Sequence, residues 1–541
     1  MEKNFATIVP ERTADYQEST TTEHLVTEAE AAMAWEHSLT LSRALKLYRK
    51  AIMYGAFVSL ALVMEGFDTK IMGSLYAVPA FRTAYGTRAS SGSYQISAPW
   101  QSGMMGITGV SCIIGMFIGG YVTEKIGFRK TMIGTLLSMP LIIFIFFFAP
   151  SLEVIAVGNF LFGLPLGIFQ TITTVYVTEI MPNALRPYLT SCYSLAYALG
   201  QLLNAAIFRA TLNLPSPWPY RVPFALQWFW PIIIIPALYF APESPWWLVR
   251  QNRLDDARAS LRKLTSENLD IEIQQLISLM VFTTNHERSI EAGTSYVTCF
   301  KKVNLYRTLI VIGVYIMQVL TGAPLRAWMT YFFQQGGLPT DQSFNMTIVA
   351  LALSLMGVLG SWVVMTYTGR RRMYLVGNMI SIALFVAIGG LGIGLRKSKL
   401  SGLAWGIGSL LAVDGFIASL LILPVTFVLV SEIPSALLRS KSVVIARNSY
   451  TAVNIIAGVL TPYMLNPTAW GWGAVTGFFW AGACVIGLTF TFFMVPESKG
   501  RTTAEMDILF EQKISVRKFK STEISLIRGV QEGLPVHRQS L

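Results

Sequence analysis

Twelve apolar segments recur along this 541-residue chain and leave little of it for any other organisation. They cover residues 52–76, 100–122, 131–149, 153–176, 189–211, 222–241, 307–333, 345–367, 373–394, 404–430, 441–463 and 474–495. A helix needs about 20 predominantly apolar residues to cross a bilayer. The pattern therefore predicts an all-α multi-pass membrane protein of twelve transmembrane helices, with both termini on one side. The balance of 53% hydrophobic to 13% charged residues agrees with a chain dissolved in lipid.

The chain also repeats itself. Glu179-Ile-Met-Pro-Asn-Ala-Leu-Arg186 returns 253 residues later as Glu432-Ile-Pro-Ser-Ala-Leu-Leu-Arg439, and Pro242-Glu243-Ser244 returns 254 residues later as Pro496-Glu497-Ser498. Each copy follows a long apolar segment and opens a polar one. Membrane proteins built from two related halves hold their ligand between the halves and work by rocking one against the other. The duplication predicts two six-helix bundles, residues 51–241 and 307–495. A hydrophilic linker, 242–306, joins them, and polar tails flank them at 1–50 and 496–541. Residues 1–40 and those beyond about 520 have the composition of disordered tails. Within the linker, Leu254, Ala257, Leu261 and Leu264 mark a short amphipathic helix.

Charge fixes the orientation. Arg43, Lys46, Arg49 and Lys50 precede span 1, Lys125, Arg129 and Lys130 follow span 2, Arg370, Arg371 and Arg372 follow span 8, and Arg439 and Lys441 separate spans 10 and 11. All fall on one face, which the positive-inside rule makes cytoplasmic. Arg396, Lys397 and Lys399 dissent. The net charge of +12 is explained by this topology, and a nucleic-acid partner is not expected. Cys112, Cys192, Cys299 and Cys484 are widely spaced, which indicates neither a disulfide framework nor a metal site. His24, His37, His286 and His537 all lie in polar stretches and no nucleophile–base constellation accompanies them, so an enzyme is not expected, nor a cofactor. Asn345-Met-Thr347 is a glycosylation sequon too close to span 8 to be used.

Span 1 carries Glu65, Asp68 and Lys70 inside its apolar run. A charge at the centre of a membrane helix costs roughly 3 to 15 kcal/mol, so such residues face a cavity or find a partner. Glu65 and Asp68, three apart, share one helix face. Either could bind and release a proton as the site changes sides, or form a structural ion pair with Lys70 or Arg447. Arg447, inside span 11, either reaches back to the membrane surface or serves as the counter-charge for those carboxylates.

The repeated elements resemble the sugar porter family of the major facilitator superfamily. Pro242-Glu-Ser-Pro-Trp-Trp-Leu248 is similar to the family's PESPRWL motif, and Pro496-Glu-Ser-Lys-Gly-Arg-Thr502 to its PESKGRT. Gly127-Phe-Arg129-Lys130 and Gly369-Arg370-Arg371 resemble its two GRR/K loops. Met64-Glu-Gly-Phe-Asp-Thr69, Ile96-Ser-Ala-Pro-Trp-Gln101, Phe169-Gln-Thr171, Ala446-Arg-Asn448 and Leu460 to Trp470 look closer still to fungal maltose/α-glucoside permeases. The resemblance implies the two-bundle fold with alternating access and proton-coupled import of a sugar by a functional monomer in the plasma membrane. It places Asp68 at the family's proton-coupling aspartate. The family's span 4 arginine is replaced here by Asn159, a loss for which Arg447 compensates. It implies sugar contacts from Gln201, Gln318 and Asn454, with ring faces from Tyr450 and from Phe427, which replaces a tryptophan. Glu179, Arg186, Glu432 and Arg439, with Arg129 and Arg371, would form charge pairs that close a cytoplasmic gate.

Four positions depart from the family: Lys70, Cys112, Pro324 and Arg326. A Lys70–Asp68 pair would hold the aspartate ionised and leave an uncoupled facilitator, or a carrier for another small polar metabolite. A non-transporting sugar receptor is disfavoured by the short tail after Pro496.

Overall fold

The structure is a computed structural model. It describes residues 27–522 apart from 30, 33, 36–37, 40, 89–93, 183–184, 267–269, 294–295, 399–400, 436–437, 500, 502, 513 and 520–521; among side chains, those of 41, 186–193, 270, 286–293, 302, 401, 439–440, 503–504 and 507 also lie outside it. Eleven helices among the described residues are long and apolar enough to cross a membrane. A further 26-residue helix, Arg186–Thr211, completes the set of twelve.

In chain order these are α1 Arg49–Leu75, α2 Ala98–Ile126, α3 Phe128–Phe147, α4 Leu152–Ile180 and α5 Arg186–Thr211. Then follow α6, broken into Trp218–Leu226 and Phe229–Phe240, and α7, which runs Lys302–Leu320 and resumes as Ala323–Ala327 and Met329–Gln335. The last five are α8 Thr340–Tyr367, α9 Arg370–Ser398, α10 Ser401–Ile417 continuing to Glu432, α11 Arg439–Leu465 and α12 Thr476–Met494. Two bundles of six result. Between them, α2 packs on α11 and α5 on α8.

Within a bundle the helices approach until backbone touches backbone. A Cβ on Gly167 of α4 would lie 2.0 Å from the Cys112 carbonyl oxygen of α2, and one on Gly115 would lie 2.2 Å from the Leu164 oxygen. Gly66 of α1 and Gly200 of α5 meet Tyr197 and Val63 in the same way, at 2.1 and 2.0 Å. Lipid offers no hydrophobic drive to associate, so close packing of small residues supplies the attraction.

Besides α6, broken at Gln227, two further spans are interrupted where they meet the centre. α7 breaks at Gly322, whose φ of +84° favours glycine. α10 widens to a π segment over Ala418–Ile422, ahead of Pro424. Such interruptions are tolerated at membrane depth only where protein or a cavity shelters the backbone.

The linker forms helices Pro245–Arg250, Leu254–Leu264 and Asp270–Gly293. In the second, Ala257, Leu261 and Leu264 are buried, while Leu254 at its start is exposed. The expectation of a disordered stretch up to residue 40 needs correction. Residues 27–29, 31–32, 34–35 and 38 are helical, and Ala29, Ala32 and Leu39 are buried. Their small and apolar side chains give this piece a face to bury, and the Ser278 hydroxyl donates to Glu28. The remaining tail residues, 1–26 and 523–541, lie outside the described residues.

Gly167→Leu should force α2 and α4 apart, at a cost of about 1–3 kcal/mol. A lowered thermal midpoint of the detergent-solubilised protein would report it. Gly134→Ala, where a Cβ meets nothing within 4 Å, should leave that midpoint unchanged or raise it.

Candidate functional site

Between the bundles lies a cavity of about 460 Å³, walled by α1, α2, α4, α5 and α6 on one side and α7, α8, α10 and α11 on the other. Its lining mixes amides (Asn159, Gln170, Gln201, Gln227, Gln318, Asn454) with ring faces (Tyr197, Tyr315, Trp328, Phe427, Tyr450) and five charged groups: Glu65, Asp68, Lys70, Arg326 and Arg447. Ligand sites of this size pair apolar walls with a few convergent polar groups. All three residues expected to move protons and all five expected to hold sugar therefore face one space. They come from opposite halves of the chain: Glu65, Asp68 and Gln201 from the first, and Gln318, Phe427, Arg447, Tyr450 and Asn454 from the second.

The charged groups do not pair as the sequence suggested. Asp68 Oδ1 accepts from Gln227 Nε2 at 2.6 Å, and Oδ2 is buried without a hydrogen-bond partner. Gln227 stands in the break of α6, where the chain turns its amide inward; the sequence had not singled it out. Glu65, 2% exposed, also has a buried oxygen without a hydrogen-bond partner. It feels the charge of Arg447 and the amide of Gln170. The expected Lys70–Asp68 pair is absent. Lys70 Nζ instead donates to the Arg326 carbonyl of the other half, at 2.5 Å. Residues two apart on a helix do not face each other, so Lys70 points at α7 while Asp68 points at α6. Arg326 in turn donates to Asp414 of α10 at 2.7 Å and to the Thr321 carbonyl at 2.6 Å, and Ser381 holds the other Asp414 oxygen at 2.8 Å. Cys112 directs its thiol at Gln170 Oε1, 3.6 Å away.

One end of the molecule, opposite the linker, is closed. Gln334 of α7 donates to the Ala77 carbonyl at 2.7 Å, Ser102 to Val459 at 2.7 Å and Asn466 to Ile96 at 2.7 Å. Tyr76 stacks on Trp328 with ring centres 5.0 Å apart, and both rings are fully buried. Each of these contacts joins the two halves.

Residues 55–510 match the family model described as Sugar (and other) transporter. The chain belongs to this transporter family. It is similar to the maltose permease MAL31 of Saccharomyces cerevisiae, 39% identical over 504 residues that cover 92% of this chain and 81% of that one. The general alpha-glucoside permease of the same yeast is 38% identical over 503 residues, with the same coverage. Among solved structures, the xylose transporter XylE of E. coli in a partially occluded inward open conformation matches with a TM-score of 0.67. That match covers 84% of this chain and all of that one; at 18% identity it speaks for the fold.

At the linker end the transporter carries the same joint in each half. Glu243 accepts from the backbone N–H groups of Phe128 and Arg129, at 3.0 and 3.2 Å, and so caps α3. Glu497 caps α9 through the Arg370 N–H at 2.7 Å. Carboxylates are favoured at helix N-termini, where N–H groups and the dipole converge. Gly127 and Gly369 leave room for them, since a Cβ would come within 2.5 and 2.1 Å of the respective carboxylate. Burial pushes the Glu243 carboxyl above its usual range, against the pull of the N–H groups it accepts from.

Among the described residues the gate glutamates have these partners. Glu179 pairs with Arg250 at 2.9 Å and accepts from Ser244, while Glu432 faces Arg370 at 3.5 Å. Arg129 lies over the Tyr239 ring, and Arg371 donates to the carbonyls of Phe492 and Val495. The arginine beside each motif is therefore spent on local carbonyls or rings, and a neighbouring arginine reaches the glutamate. The side chains of Arg186 and Arg439 lie outside the described residues.

Removing one partner of a buried ion pair strands the other. Asp414→Asn should cost about 3–5 kcal/mol, seen as a lower thermal midpoint of the purified transporter. Adding Arg326→Gln should restore part of that loss, a coupling that a double-mutant cycle measures.

Proposed function

We propose that this transporter imports an α-glucoside, maltose being the first to test, by proton symport and alternating access. The observation that carries the proposal is the pair of buried carboxylates on the cavity wall, Glu65 and Asp68. Each has one oxygen without a hydrogen-bond partner, and among the described residues Asp68 is held by the neutral amide of Gln227. A carboxylate in that setting gains from binding a proton and loses it when water reaches the cavity from the other side. Arg447 supplies the opposing charge. The amides of Gln201, Gln318 and Asn454 suit sugar hydroxyls, and the rings of Tyr450 and Phe427 suit the C–H face of a pyranose. The names of the relatives, a maltose permease and a general alpha-glucoside permease, support the substrate class. A D-xylose-proton symporter shares the fold with a TM-score of 0.64.

In this proposal residues 51–241 and 307–495 rock about the cavity, with 242–306 linking them as a monomer in the plasma membrane. Both termini and the linker are cytoplasmic, where the basic loops gather. Arg396, which breaks that pattern, donates to the carbonyls of Gly471 and Trp472. Arg129, Glu179, Arg186, Arg371, Glu432 and Arg439 belong to the cytoplasmic gate. The absence of a Lys70–Asp68 contact removes the main objection to coupling.

Yeast lacking its own maltose transporters should take up labelled maltose when it expresses this chain, and a protonophore should abolish accumulation. Uptake that persists unchanged with the protonophore would identify a facilitator. No uptake despite surface expression would overturn the substrate class. Asp68→Asn should abolish accumulation against a gradient yet preserve exchange of internal for external sugar.

A further inference from the structure

The cavity wall carries more positive charge than a neutral sugar needs. Lys70 and Arg326 both line it, 7% and 9% exposed, and stand close enough for their charges to interact. One carboxylate stands by them, Asp414, which lies behind the wall at 0% exposure and is engaged by Arg326 and Ser381. Lys70 reaches no carboxylate: its ammonium has three N–H donors, and the one hydrogen bond described goes to a backbone carbonyl. Arg326 Nη2 is buried with no hydrogen-bond partner, although Nη1 is fully used. Two adjacent buried cations with one counter-ion, and donors left over on both, leave room for a second anion.

Counting the five charged side chains on the wall, with Asp414 behind them, gives three carboxylates and three cations. Adding a coupling proton leaves one positive charge. A substrate with a single negative charge would neutralise it.

We propose that Lys70 and Arg326 form an anion subsite in the cavity, and that this transporter prefers α-glucosides bearing one carboxylate on the second residue. The proposal rests on the α-glucoside reading of the cavity. The Lys70 ammonium donates to one carboxylate oxygen and Arg326 Nη2 to the other, while the glucosyl ring occupies the amide and aromatic part of the site. Lys70 and Arg326, departures from the family pattern in sequence, thereby become determinants of specificity.

A matched pair of probes tests it. Maltobionate (4-O-α-D-glucopyranosyl-gluconate) and maltitol share the glucosyl ring and an open-chain second residue, and differ in whether that residue ends in a carboxylate or a hydroxymethyl group. As competitors of labelled maltose uptake, maltobionate should act at about tenfold lower concentration, the worth of one charge-assisted hydrogen bond. The preference should vanish in Lys70→Gln and Lys70→Met and survive in Lys70→Arg. Equal potency of the two probes on the unaltered protein would overturn the proposal, as would a preference intact in Lys70→Gln. Thermal stabilisation of the purified protein by each probe provides a second readout that needs no transport. Absence of maltose uptake, with maltobionate still stabilising the protein better than maltitol, would discard the maltose assignment and keep the subsite. No stabilisation by maltobionate beyond that by maltitol would discard the subsite whatever the uptake shows.

Discussion

A charge withdrawn from water into hydrocarbon must be given either a partner or a cavity, and the interior of this transporter is arranged around that demand. Asp414, wholly enclosed, is neutralised by Arg326 and oriented by Ser381. Glu65 is set against the field of Arg447. Asp68 has only an amide donor, from Gln227. These three treatments of a buried carboxylate differ in how easily each could accept a proton. Asp414 is held by a direct ion pair, whereas the described partner of Asp68 is a neutral amide. The interrupted geometry of α6, α7 and α10 follows from the same demand, because Gln227, Arg326 and the π segment before Pro424 lie at the breaks.

The duplication explains the part of the molecule that does not face the cavity. In each half a PES glutamate caps the helix after a short glycine loop, and the glycine is required because a Cβ would occupy the carboxylate's place. Sequence motifs about 115 and 127 residues apart are thus two sides of one contact. The pairing of a GRR/K loop with a PES segment is a cap and its socket.

Much of this was legible beforehand. Twelve apolar runs predicted twelve helices, and Glu65 and Asp68 stood out because charges are conspicuous in an apolar run. Asp414 stood in an equally apolar run and passed unnoticed, since its partner is 88 residues away and no spacing rule links helices across a bundle. Gln227 was hidden for another reason: an amide near the start of a span carries no mark of the helix break that turns it toward Asp68. The alternative of a Lys70–Asp68 pair could have been set aside on spacing, because a separation of two directs side chains to different sides of a helix. For the gate, Arg250 as the partner of Glu179 was not readable, since it lies in the linker 71 residues away.

The glycine contacts have a mechanical meaning. Where α2 meets α4, and α1 meets α5, the helices touch through backbone and can neither part nor slide without opening a void. On the α2–α11 seam between the halves the contact is made differently: Gly106 faces the side chain of Val459, and Gly109 that of Ile455. Side chains can exchange rotamers and neighbours as they move past one another, whereas fused backbones cannot. Close backbone packing thus ties helices within a half, and side chains form the α2–α11 seam between the halves. Gly109 and Ile455 also line the cavity, so that seam and cavity wall share residues, and a change of cargo there would also change how the halves meet.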